Sequence, residues 1–162
     1  MTEPRTEFGA SRPVCACRGC VKNCRFMPGY LIPADLKRMM PPVTSWAEAL
    51  VWAEENLLSS PGALVRVANQ VFTIPTLVPR VKPDGSCIHL IEGRCGIHAI
   101  APFACAFFSC QPEPPGLAID GIYAVYAELP GSLYKRFWQH LNATGRVQEN
   151  AAVLRGRMDR AE

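Results

Sequence analysis

The side chains of this protein with the richest chemistry are its thiols. All eight cysteines fall in two clusters. CACRGCVKNC carries Cys15, Cys17, Cys20 and Cys24, and CIHLIEGRCGIHAIAPFACAFFSC carries Cys87, Cys95, Cys105 and Cys110. Thiolates are soft ligands, and four of them converging on one point suit zinc or an iron–sulfur centre. Structural zinc sites usually draw two close pairs from separate parts of a chain. Iron–sulfur loops often crowd three cysteines into one irregular turn and take the fourth from far away. The run C-x-C-x2-C-x3-C lies nearer the second arrangement. Eight thiols can serve two four-ligand centres, or one centre with spare thiols, so all eight are candidate metal ligands.

The histidines are weighed against the same chemistry. His98 follows Cys95 by three residues, a spacing that lets both reach one metal or lets the imidazole hydrogen-bond to a ligating thiolate. His89 lies two residues after Cys87, on the same face if the segment is a strand. His140, among Lys135, Arg136 and Gln139, reads as a surface residue or a satisfied partner. Arg18, Lys22 and Arg25 flank the first cluster. Such cations lower a thiol pKa toward nucleophilic use, and they equally offset the charge of a tetrathiolate centre. Phe103, Phe107 and Phe108 surround Cys105 and Cys110, either as a water-excluding shell for a redox centre or as plain core. No serine, histidine and acid spacing supports a hydrolase.

Composition bounds these readings. A chain of 162 residues, 49% of them hydrophobic, fits one domain with a core of its own. Fifteen prolines and twelve glycines predict long loops. A net charge of +3, evenly spread, announces no nucleic-acid surface. The apolar run IAPFACAFF is too short for a membrane span and contains Pro102. MTEPRTEFGASRP has no signal-peptide character, so the chain reads as cytoplasmic. Reducing conditions there argue against a disulfide framework and for metal binding or reactivity. LRGRMDRAE bunches arginines, interrupted by acids, and reads as a solvated tail.

The elements that must position the thiols follow from pattern. Pro28-Gly29 marks a turn, and PADLKRMM starts a short helix at Pro33, with Asp35 as its cap or as a loop anchor, the cap being preferred. SWAEALVWAEENLLSS is the clearest helix: Ser45 and Glu48 have capping-box spacing, and Trp46, Leu50, Ala53 and Leu57 share a core face. Residues 63–82 predict short, edge-like strands with prolines at 75 and 79. SCIHLIEGRCGIH predicts a hairpin turning at Glu92-Gly93-Arg94, with Cys87 and Cys95 near its two ends. LAIDGIYAVYAEL leans to helix. LPGSLYKRFWQHLNATG is a firmer helix, with Leu133, Phe137 (or Trp138) and Leu141 on one face and Gly145 as C-cap.

At these residues the chain resembles the CxxCxxCC, or YkgJ-like, family, described as zinc- or iron-chelating domains. The likeness runs from residue 15 to about residue 110: CACRGCVKNC, then PGYLIPADL, then DGSCIHL, GRCGIHAIAPFAC and FFSC, in that order. His98 matches the Cys-x-Ile-His of the family. The adjacent cysteine pair that gives the family its name is absent, because Val21, Lys22 and Asn23 separate Cys20 from Cys24. Cys24 stays a candidate ligand, either of the same metal as Cys20 or as a spare thiol or part of a second, weaker centre. The resemblance implies zinc or iron binding and no particular reaction; the larger flagellin lysine methylases carry such cysteines beside methyl transfer, but no cofactor-binding glycine loop is visible here.

Together these readings predict a small, loop-rich, metal-organised single domain of the α+β class, with several short helices and a β-hairpin. Residues 1–13 are expected as a flexible leader, 14–145 as the cysteine-rich metal-binding domain and 146–162 as a basic C-terminal tail. The expected function is to hold an iron–sulfur cluster or iron, for electron transfer or as an accessory to another enzyme through an unidentified protein partner. The alternative is a zinc-stabilised interaction module without redox role. A third reading, an enzyme using the metal as a Lewis acid, needs an open coordination position.

Overall fold

A computed structural model describes residues 18–107, 117–128 and 132–161. Cys15, Cys17, Cys110 and Phe108 lie outside these described residues, as does the leader expected over residues 1–13. The fold is α+β: among the described residues, seven helices accompany two separate two-stranded antiparallel sheets.

The chain enters through α1 (Arg18–Phe26), where an irregular cysteine loop is expected from the sequence. The difference has a simple origin. Cys20, Val21 and Cys24 recur at helical spacing between Arg18, Lys22 and Arg25, a pattern hidden when the cysteines are weighed only as metal ligands. After Pro28-Gly29 comes α2 (Pro33–Met39), entered through Pro33. Next is α3 (Trp46–Asn56), capped by Ser45, whose hydroxyl accepts the Glu48 N–H at 3.1 Å. The return arm of the box is shifted by one residue, since Glu48 takes the backbone N–H of Thr44 at 2.7 Å. The helix ends earlier than its apolar pattern suggests, because Leu57 is already extended and opens β1.

β1 (Leu57–Val67) and β2 (Gln70–Pro79) form one long antiparallel hairpin where short strands are expected. Its tip, Ala68-Asn69, has positive φ at both residues (46° and 65°), the twist that a tight two-residue turn requires. A two-stranded sheet consists only of edges, which is why Pro61, Pro75 and Pro79 are tolerated. The base of the hairpin is buried at Leu57, Thr76, Leu77 and Val78, whereas residues 70–73 are exposed.

β3 (Leu90–Ile91) and β4 (Arg94–Cys95) make the expected small hairpin, turning at Glu92-Gly93 with φ of 49° and 74°. A 3-10 turn over His98–Ile100 leads to α4 (Phe103–Phe107). α5 (Leu117–Glu128) and α6 (Leu133–Ala143) follow as expected, the latter N-capped by Ser132 and followed by Gly145 at φ +75°. The segment expected as a solvated tail carries α7 (Ala151–Arg160), which packs against α1 and buries Leu154. Just before it, Val147 bridges Ser59, so the chain after α6 covers one edge of β1.

The core gathers Leu36 of α2, Ala53 of α3, Leu57 and Leu77 of the long hairpin, Phe103 and Phe107 of α4, Val125 of α5, and Tyr134, Phe137 and Leu141 of α6. Phe103 and Phe107 are thus core residues, with ring centroids 5.1 Å apart. Tyr134 is the polar keystone: its hydroxyl donates to the Leu31 carbonyl at 2.6 Å and accepts the Leu77 N–H at 2.7 Å. Trp46 stacks on Phe137 at 5.6 Å under the Arg136 guanidinium. Among the described residues, no helix is long and apolar enough to cross a membrane.

Candidate metal centre

Three chain segments converge beside this core, and each brings thiols. On α1, Cys20 and Cys24 occupy positions one turn apart, a spacing that puts two positions on the same helix face. Cys24 is half-buried, and its carbonyl accepts the N–H of Cys87 at 2.7 Å, which ties α1 directly to the second cluster.

Cys87 is presented by a tight excursion after β2. Lys82 and Gly85 close a turn, in which Asp84 accepts both the backbone N–H and the hydroxyl of Ser86 at 2.9 and 2.6 Å. Those two bonds hold the Asp84 carboxyl below its ordinary range. Val81 then pairs with Cys87 as an isolated antiparallel bridge. The Cys87 carbonyl accepts the Leu90 N–H at 3.0 Å, so residues 87–90 form a turn rather than a strand, and Cys87 and His89 do not share a strand face. The His89 N–H instead hydrogen-bonds to the Cys87 sulfur. The hairpin carries the chain back, and Cys95 lies opposite Leu90.

Cys105 is held from the other side. Gly29 donates its N–H to Cys105 Sγ at 3.2 Å, and the Ala104 N–H returns to the Tyr30 carbonyl at 3.1 Å. A Cβ at Gly29 would stand 2.6 Å from the Cys105 nitrogen and 2.7 Å from the Ala104 Cβ, so only glycine permits this approach. Asp35 completes the clasp. It is fully buried, and its Oδ2 accepts the Ile32 N–H at 2.9 Å and the Phe103 N–H at 2.8 Å. One carboxylate therefore caps α2 and also anchors the start of α4, satisfying donors that a helix terminus leaves open. The sequence offers cap and anchor as alternatives, and Asp35 serves as both.

Cys24, Cys87, Cys95 and Cys105 lie within electrostatic reach of one another. Burial, with charge on Cys24 and Cys95 adding to it, pushes the Cys87 thiol up to about 11 against the opposing His89 N–H and Lys82. Burial raises Cys105 more strongly, against the Gly29 hydrogen bond, with Cys24, Cys87 and Cys95 all adding to the rise. Charge on Cys24 is felt at both Cys87 and Cys105. The protonated, buried thiols of Cys87 and Cys105 lack the electropositive, accessible setting of a nucleophile.

The side-chain chemistry is of a kind that suits a cation: thiols from both clusters, backbone N–H groups beside two sulfurs, and Lys82 nearby. Spacing alone does not complete a site. Among the described residues, no three His, Cys, Asp or Glu side chains are arranged to hold a metal ion.

The histidines divide. His98 is exposed on the 3-10 turn. His89 is half-buried, its Nε2 is shielded from solvent without a hydrogen-bond partner, and burial lowers its pKa toward the neutral imidazole. His140 is a satisfied partner, with Nε2 2.7 Å from Glu54 Oε1. Asp35 as a tie across 68 residues and the Gly29 N–H on sulfur are the features that sequence reading misses. The Pro28-Gly29 turn was their only signal.

No protein-family model matches the chain, and no curated protein or solved structure is significantly similar to it.

Proposed function

We propose that this protein holds an iron–sulfur cluster or iron through thiolates of both cysteine clusters, in a reducing, cytoplasmic setting, as an electron carrier or an accessory to another enzyme. The observation that carries the reading is the gathering of Cys24, Cys87, Cys95 and Cys105 from α1, the excursion after β2, β4 and α4. Four neighbouring thiols cannot all ionise in a partly buried site unless a cation compensates them, and a metal supplies that compensation. Backbone N–H groups on the Cys87 and Cys105 sulfurs would steady the charge that remains. Cys20, one turn before Cys24, is the position best set to join them from α1, and the likeness to the YkgJ-like motifs points the same way. A bound cluster would supply one-electron chemistry; the chain's own part is to collect the thiols, shield Cys105 behind the core and fix the approach of α4.

Anaerobic purification followed by iron, zinc and acid-labile sulfide analysis, with a visible spectrum, tests this. The expected result is stoichiometric iron, a brown protein and absorption that bleaches on reduction. Tightly bound zinc without sulfide would replace this reading with the zinc-stabilised interaction module. A well-folded protein that takes up neither metal, with eight free thiols, would overturn both. Cys20→Ala and Cys95→Ala are expected to lose metal and solubility together, since ligation free energy in such sites is folding free energy.

A further inference from the structure

A cleft of about 450 Å³ lies between the end of α1, β1, the Lys82–Ser86 turn and α7. No cysteine lines it, and the metal-binding reading makes no use of it. Its apolar walls include Phe26, Leu58, Val81 and Leu154. Its volume falls in the range of small-molecule sites, which combine apolar walls with a few polar anchors.

The charges on its rim are unequal in availability. Glu149 is engaged by Arg157, at 3.3 Å in one of the two bonds. Asp84 is occupied by Ser86. Lys82 Nζ donates to the Leu90 carbonyl at 2.6 Å. Arg25 is exposed and, among the described residues, has neither a hydrogen-bond nor an ion-pair partner. Three cations against two acids leave the rim one positive charge in excess, and that charge is the uncommitted one. A free guanidinium beside an apolar wall matches a carboxylate or phosphate carried on an apolar body, which it can bind through two parallel N–H bonds.

We propose that this cleft binds a small organic anion, its acidic head group on Arg25 and its apolar body against Phe26, Leu58, Val81 and Leu154. The site stands independently of any metal. It does border the thiols, because Arg25 follows Cys24 and Val81 pairs with Cys87.

The test is calorimetric or NMR titration of the full chain with benzoate, phenyl phosphate, benzyl alcohol and inorganic phosphate. At least one of the two aryl anions is expected to bind saturably at a single site. Benzyl alcohol and inorganic phosphate, each lacking one half of the ligand, should bind roughly tenfold more weakly or worse. Arg25→Gln should weaken the aryl anion by about tenfold or more, and Arg25→Lys by less, because a point charge replaces the planar fork. Arg155→Gln, an exposed change on α7 outside the cleft lining, should leave affinity unaltered. Thermal unfolding of Arg25→Gln shows whether it is folded; if it is not, resonances of Leu58 and Leu154 in the wild-type titration report the site directly. Absence of saturable binding by both aryl anions, equal binding in folded Arg25→Gln, or shifts that avoid the cleft residues would each overturn the proposal.

Discussion

The two hairpins of this protein are held by different forces. The long β1–β2 hairpin has an extended ladder, broken by one register shift between Ser60 and Ala63, and plants its base in the core, where Leu57, Leu77, Tyr134 and Phe137 are buried on all sides. The short β3–β4 hairpin has two residues per strand, an exposed Ile91 at its tip and no member of the core cluster. What fixes its surroundings is a set of single bonds: Cys87 to the Cys24 carbonyl, His89 to the Cys87 sulfur, Lys82 to the Leu90 carbonyl. Apolar burial scales with area and tolerates small local errors, whereas isolated polar ties hold only if every partner is in place. The core half of the molecule can therefore stand by itself, and the thiol half has most to gain from a ligand that draws its segments together.

The largest expected effect breaks the core half. Phe137 is fully buried between Trp46 and Trp52, so Phe137→Ala should cost about 3–5 kcal/mol and lower the denaturant midpoint of the whole chain. Loss confined to metal content, with the midpoint unchanged, would contradict the division drawn above.

A smaller and more local effect is expected from Gly29→Ala. The added methyl meets the backbone of Ala104 and Cys105, which must move, at a cost of roughly 1–3 kcal/mol. Metal bound per folded molecule should fall, while the circular dichroism of the helices and long hairpin persists. Full metal loading in this variant would mean that the Gly29–Cys105 approach is not part of the centre.

The smallest effects are graded ones, and pH should separate the two halves. In the metal-free protein, folded Cys87 keeps its proton up to about 11, whereas an unfolded thiol releases it near 9. The unfolded state then binds fewer protons across that window, so this contribution is complete below about 9 and is lost as pH rises toward 11. A metal-bound Cys87 has already lost its proton, so the alkaline decline should flatten in the loaded protein. At the acid end the core half responds: the His140 hydrogen bond, and then Arg146, hold the Glu54 carboxyl below its ordinary 4.5. That contribution is present above 4.5 and fades as pH falls below it. Urea midpoints measured from acid to alkaline pH, with and without metal, check both slopes; parallel alkaline slopes would sink the assignment of Cys87 as a ligand.

What was legible in the sequence was local. Ser45 before an apolar-periodic run, Pro33 at a helix start, Gly145 after α6 and Glu92-Gly93 between short apolar runs each act within a few residues, and each element forms where its signal stands. The cysteine clusters, too, were visible as clusters. Less visible was anything decided at a distance. The helical pattern of α1 was masked by its cysteines, and α7 packs against it although its arginines suggested a solvated tail. The length of β1–β2 was hidden by its prolines, which only a two-stranded sheet accommodates so freely. Asp35 reads as a helix cap because its partner Phe103 lies 68 residues away. The coupling of Cys24 to Cys87 and Cys105 likewise needs the chain to return on itself.

The bond from the Cys87 N–H to the Cys24 carbonyl sets a schedule as well as a shape. During synthesis, the first cysteine cluster emerges some 60 residues ahead of Cys87, a gap of roughly 3–12 seconds at ordinary elongation rates of about 5–20 residues per second. Throughout that interval the early thiols have none of the later sulfurs to meet. Closing so long a loop is slow compared with forming α2, α3 or the long hairpin, whose contacts are nearer in sequence. Metal capture by the assembled set would therefore come last, as a chemical mark that the chain has finished folding.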